Sequence, residues 1–168
     1  EEDVPSNFTT FYNNNLNKTE ITNKKIKYNS KILHQSKLIN YFNGDYSKSK
    51  IEKDLDNFLK KIKKNKKYFF SKKDQIFLES LKFDGVKISK KYEDLYEFDS
   101  SEIPTDIQVM INNNEKGLAL LRIAEVIGQD RLERIDDDTI YFIISTLNQL
   151  DIDLLRNRIL LKVLPLKV

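Results

Sequence analysis

Between Ser47 and Lys67 the apolar residues Ile51, Leu55, Phe58, Leu59 and Ile62 recur at spacings of 4, 3, 1 and 3, and most other positions are lysine. That spacing follows the helical period and not the alternation of a strand, so it predicts a helix with one buried stripe. The same reasoning places further helices along the chain. Ser36–Phe42 is a short one, closed by Asn43-Gly44. Ser71-Lys72-Lys73-Asp74 has the form of a capping box with Asp in place of Glu, ahead of Ile76, Phe77, Leu78 and Leu81, and Gly85 supplies a stop. Ser89 precedes an aromatic stripe of Tyr92, Tyr96 and Phe98 with Leu95.

Pro104 suits the first turn of a helix carrying Ile107, Val109, Met110 and Ile111, which Asn112-Asn113-Asn114 breaks. Glu115–Ile127 comes next, with Gly128 at its C-cap; Asp136-Asp137-Asp138 caps Thr139–Leu150; and Asp151 starts a last helix that ends before Pro165. The stretch from Ile103 to Leu164 is the most apolar part of the chain. Within it, Ile107 and Ile111 match Ile140 and Ile144 at an offset of 33, and Leu121 matches Leu155 at 34. Offsets of that size are typical of tetratricopeptide-like helical hairpins.

The expected fold is therefore all-α. It has stacked antiparallel hairpins at about 36–67, 71–98, 104–128 and 137–164, a TPR-like α-solenoid, within a helical domain spanning 36–168. Residues 1–35 show no period. They hold Asn13-Asn14-Asn15 and scattered Phe8, Phe11 and Tyr12, which predicts an irregular or extended arm, because asparagine side chains compete for backbone hydrogen bonds. The sequons at Asn7 and Asn17 are of a kind that arises often by chance in asparagine-rich sequence.

Charge changes this picture. Residues 1–91 hold 21 lysines, no arginine and 11 acids, a net of 21 − 11 = +10; residues 92–168 hold 8 basic residues and 15 acids, a net of −7. Codon bias in an AT-rich genome explains lysine, asparagine and isoleucine usage but not the change of sign. The basic part could dock on the acidic part or on another copy. Its sharpest feature is Lys60, Lys61, Lys63, Lys64, Lys66 and Lys67, followed by Tyr68-Phe69-Phe70 and then Lys72 and Lys73. Such a patch could meet phosphates while its rings stack on unpaired bases, or meet an anionic membrane surface. The plainer reading is a solvated helix face with the three aromatics in the core. The patch lacks arginine, the residue suited to bidentate phosphate recognition.

Catalytic chemistry finds little support. Cysteine is absent, which excludes disulfides and thiolate sites, and the only histidine, His34, has no nucleophile motif around it, which points to a structural or surface role. The four glycines are isolated, so no phosphate loop exists, and Asp136–Asp138 lack the ligand spacing of a calcium loop and read as a helix cap. Neither an enzyme nor a metal or other cofactor is expected. No run of about 18 apolar residues predicts a membrane-spanning helix. The acidic start, Glu1-Glu2-Asp3-Val4-Pro5-Ser6, resembles the new N-terminus left by signal-peptide cleavage, although a trimmed fragment begins the same way; an exported, periplasmic location is slightly favoured over a cytoplasmic one.

Gly117-Leu118-Ala119-Leu120-Leu121-Arg122-Ile123 with Ile127-Gly128, and then Asp138-Thr139-Ile140 through Leu147 and Leu150, carry a likeness that extends over about 60 residues. They resemble the C-terminal helical-repeat region of long alphaproteobacterial proteins of unassigned function. The chain departs from that pattern at Leu150-Asp151, where a glycine belongs in the turn. The resemblance implies a scaffold and no activity.

The expected function is a non-enzymatic helical-repeat module for protein–protein interaction or self-assembly. The uncapped apolar end Leu160, Leu161, Leu164 and Leu166 would form its contact surface. The alternative is a nucleic-acid-binding domain acting through residues 60–73.

Overall fold

The computed structural model describes residues 26–95 and 103–165. Expectations resting on the arm up to residue 25, including both sequons, on Tyr96 and Phe98 and on Leu166 lie outside the described residues. The described chain is all-α. Its α-helices are α1 (Lys48–Lys64), α2 (Lys72–Phe83), α3 (Thr105–Asn112), α4 (Lys116–Ile127), α5 (Asp137–Gln149) and α6 (Asp153–Val163). Short 3-10 helices lie between them: η1 (Leu33–Gln35), η2 (Lys37–Asn43), η3 (Lys90–Leu95) and η4 (Leu132–Arg134).

The starts of α2 and α5 are set by capping residues read in the sequence. At the start of α2, Ser71 Oγ accepts from the Asp74 N–H (3.2 Å) and Asp74 Oδ2 accepts from the Ser71 N–H (3.1 Å), a reciprocal capping box. At the start of α5, Asp136 accepts from both the Thr139 N–H (2.9 Å) and its hydroxyl (2.8 Å). Gly44 and Gly85 take positive φ (86° and 72°) just after η2 and α2. Asp151 takes φ 54° between α5 and α6, so an aspartate adopts the left-handed turn conformation that a glycine fills more readily.

The connectivity of the core departs from a linear stack of hairpins. The most extensive packing joins α2 to α5, and α6 lies on η2, α5 and η4. One continuous apolar cluster runs from Leu33 to Leu164. In a solenoid each unit meets only its neighbours; here α6, the last described helix, packs on η2, near the start of the described residues. Within the stretch expected as a hairpin at 71–98, η3 packs on α1. Tyr92 donates to the Asp56 carbonyl (3.2 Å), and Lys91 pairs with Asp56 (2.9 Å). Leu33 and His34, at the end of the segment expected to be an irregular arm, are buried in the core.

This closure corrects the expected contact surface. Leu160 and Leu164 are fully buried, and Leu161 packs partly buried against the same cluster. With η2 covering α6, Leu160, Leu161 and Leu164 belong to the core and not to an open surface.

Candidate functional site

Three groups of polar side chains stand out: two are buried and one is exposed. His34 and Asp74 form the first. Asp74 Oδ1 accepts from the His34 backbone N–H (3.0 Å) and lies 2.7 Å from His34 Nδ1, while its Oδ2 accepts from Tyr68 Oη (3.0 Å) as well as from the Ser71 N–H. Burial alone would raise the Asp74 pKa. The bonds from the His34 ring, the Ser71 N–H and the His34 N–H outweigh it and hold the carboxyl below its usual range. Ser71 Oγ also lies 3.4 Å from His34 Nδ1. In a nucleophilic triad the hydroxyl and the carboxylate sit on opposite nitrogens of the ring; here both face Nδ1, so the arrangement fastens η1 to α2. Burial pushes the Tyr68 phenol upward too, and Tyr68 accepts from the Leu33 N–H (3.0 Å).

Arg156 centres the second group. Its side chain is 1% exposed and reaches Asp84 (2.8 Å), Asp153 (3.0 Å), Asn148 Oδ1 (3.0 Å) and Asn157 Oδ1 (2.8 Å), with the Phe42 ring 5.9 Å from the guanidinium. The fork thus links the end of α2, the end of α5, α6 and η2. Beside it, burial and then the Asp84 carboxylate push the Tyr41 phenol up to about 12. Sequence reasoning passed over Arg156. The available signal was a charged residue lying in register with Ile152, Ile159, Leu160 and Val163 on one helical stripe.

The lysine patch separates into two parts. Lys72 and Lys73 lie half-buried beside the α2–α5 contact, pairing with Asp138 (3.3 Å) and Asp137 (3.3 Å), and Lys72 also sits over the Tyr141 ring at 4.7 Å. Tyr141 donates to Glu79 (2.9 Å), whose pKa burial raises. These lysines hold the basic and acidic parts of the chain together. Lys63 is committed as well, to Asp94 (2.9 Å).

Lys60, Lys61, Lys64, Lys66 and Lys67 are different: they are exposed, and no acid among the described residues pairs with them. The buried stripe Ile51, Leu55, Leu59 and Ile62 fixes the roll of α1 and so turns Lys53, Asn57, Lys60 and Lys64 to the opposite face. The aromatics beyond α1 also divide. Tyr68 and Phe70 pack against the core, edge to face at 6.0 Å, whereas Phe69 is 88% exposed. The expectation that all three rings are core thus fails at Phe69, because alternate residues of an extended segment point to opposite sides.

Clefts among the described residues lie elsewhere. One of about 270 Å³ lies where α3, α4 and α5 meet, bordered by the Arg122–Asp106 pair (3.4 Å) and Thr139; another of about 210 Å³ lies between α1 and η3. Among the described residues no group of His, Asp or Glu side chains is placed to hold a metal ion, and no helix is long and apolar enough to cross a membrane. No protein-family model, curated protein or solved structure matches the chain.

Proposed function

We propose that the protein is a non-enzymatic binding module whose working surface is the basic edge from Lys60 to Phe69, and that its ligand is an extended polyanion. The supporting observation is the five exposed lysines without a described acid partner, set beside a ring that stands in water. Unpaired lysines on a rigid helix attract an anionic surface or strand over a Debye length and release counterions on contact. Retention on immobilised heparin tests this. The chain should be retained at low salt and elute as salt rises. Lys60→Glu, Lys61→Glu and Lys64→Glu together should abolish retention, while Lys72→Gln with Lys73→Gln should leave it intact. An unretained wild-type chain would end the reading.

A second reading, a scaffold for a protein partner or self-assembly, is supported by the α3–α4 hairpin, where Val109 and Leu118 are half exposed. The offset of 33–34 residues relates that hairpin to α5–α6, which favours a TPR-like origin for the pair. A monomer at every concentration that also captures no protein would count against it.

A further inference from the structure

We infer that the polyanion is the headgroup layer of an anionic lipid bilayer, and that Phe69 enters it. This rests on the polyanion reading and adds the class of partner. Phe69 comes directly after Lys66, Lys67 and Tyr68 and is 88% exposed, an apolar ring held in water beside a dense positive field. A bilayer interface accepts both at once: the ring goes to the acyl boundary and the ammonium groups to the headgroups.

Two further observations favour a membrane over a nucleic-acid strand. Proteins that hold single strands stack successive bases on several rings. Here the neighbours of Phe69 are turned inward: Tyr68 is engaged by Asp74 and the Leu33 N–H, and Phe70 packs on the core. One ring serves one base at most. The unpaired cations of this edge, Lys60, Lys61, Lys64, Lys66 and Lys67, are also all lysine, which suits attraction to a charged plane and not the bidentate fork used for phosphate recognition. The outward face of α1 carries Lys53, Lys60 and Lys64 over ~16 Å (1.5 Å per residue), so these charges lie along one face that a flat surface can meet.

The test is sedimentation of the full chain with phosphatidylcholine vesicles, with and without phosphatidylglycerol, at low and physiological salt. Binding should require the anionic lipid and weaken as salt rises. Phe69→Ala should weaken it about tenfold with an unchanged melting temperature, because that ring is not part of the core. Each lysine near an anionic leaflet adds a factor of about five, so Lys60→Gln, Lys61→Gln and Lys64→Gln together should cost about a hundredfold. The chain has no tryptophan, so Phe69→Trp makes a single reporter whose emission should shift to the blue and be quenched by brominated lipid. Vesicle binding without that shift would overturn insertion. Retention on heparin without vesicle binding would overturn the membrane and leave the polyanion reading standing. Quenching of the introduced indole by a single-stranded oligonucleotide, with vesicles unbound, would make the partner a nucleic acid. A chain that binds neither heparin nor vesicles would remove both readings.

Discussion

Asp74 and Arg156 show how single residues fasten this fold. Each is a charge buried among apolar side chains, a placement that survives only when every lone pair or N–H finds a partner. The folded-state pKa of Asp74 lies below its ordinary value because its His34 and Ser71 bonds favour the carboxylate over the cost of burial. The stability it supplies is therefore fully present above the ordinary carboxylate range and is lost as pH falls through the folded value. Asp74→Asn should cost ~3 kcal/mol at neutral pH and flatten the acid side of the stability profile, as urea unfolding over a pH series would show. A wild-type profile as flat as the variant's would contradict this. Arg156→Ala takes the cation from half-buried Asp84 and leaves the Asn148 Oδ1 without its partner in the interior, and should cost ~3 kcal/mol; Arg156→Lys should restore only part of it because an ammonium lacks the fork. The sequence displayed one half of the Asp74 site, the capping box. The other half, His34, lies forty positions away, and no local pattern joins a histidine to a carboxylate at that distance.

At the level of elements, boundaries were legible because they depend on a few local residues. Ser71, Gly85, Asn114, Gly128 and Asp136 all act at the turn or cap their chemistry suggests. Which helices pair was not legible, since a stripe such as Ile140, Ile144 and Leu147 states that a face is buried and not what buries it. The sign change along the chain carried part of that information: Lys72 and Lys73 meet Asp138 and Asp137 where α2 crosses α5. Both pairs are partly exposed, so each should contribute no more than ~1 kcal/mol. A double-mutant cycle tests the pairing: Lys73→Glu and Asp137→Lys should each lower the melting temperature slightly, and the combined variant should recover most of the loss. Strict additivity would mean that the contact does not hold in solution.

For the whole molecule, what matters is that α6 packs on η2. A chain of hairpins that met only in sequence order would lose one unit's worth of stability with each unit removed. Here α6 covers Phe42 of η2, closes over α5 and carries Arg156, the partner of Asp84 at the end of α2. Ending the chain at Gln149 would therefore uncover the early core and the late core together and leave Asp84 unpaired. The truncated chain should lose far more helical circular dichroism than its missing residues account for, and should show no cooperative urea transition. The intact chain should unfold in a single step by both fluorescence and circular dichroism. A truncated chain that still unfolds cooperatively, with its remaining helices intact, would restore the stacked-hairpin array that the offset of 33–34 residues suggests. It would also show that the burial of Leu160 and Leu164 is not what holds the earlier helices together.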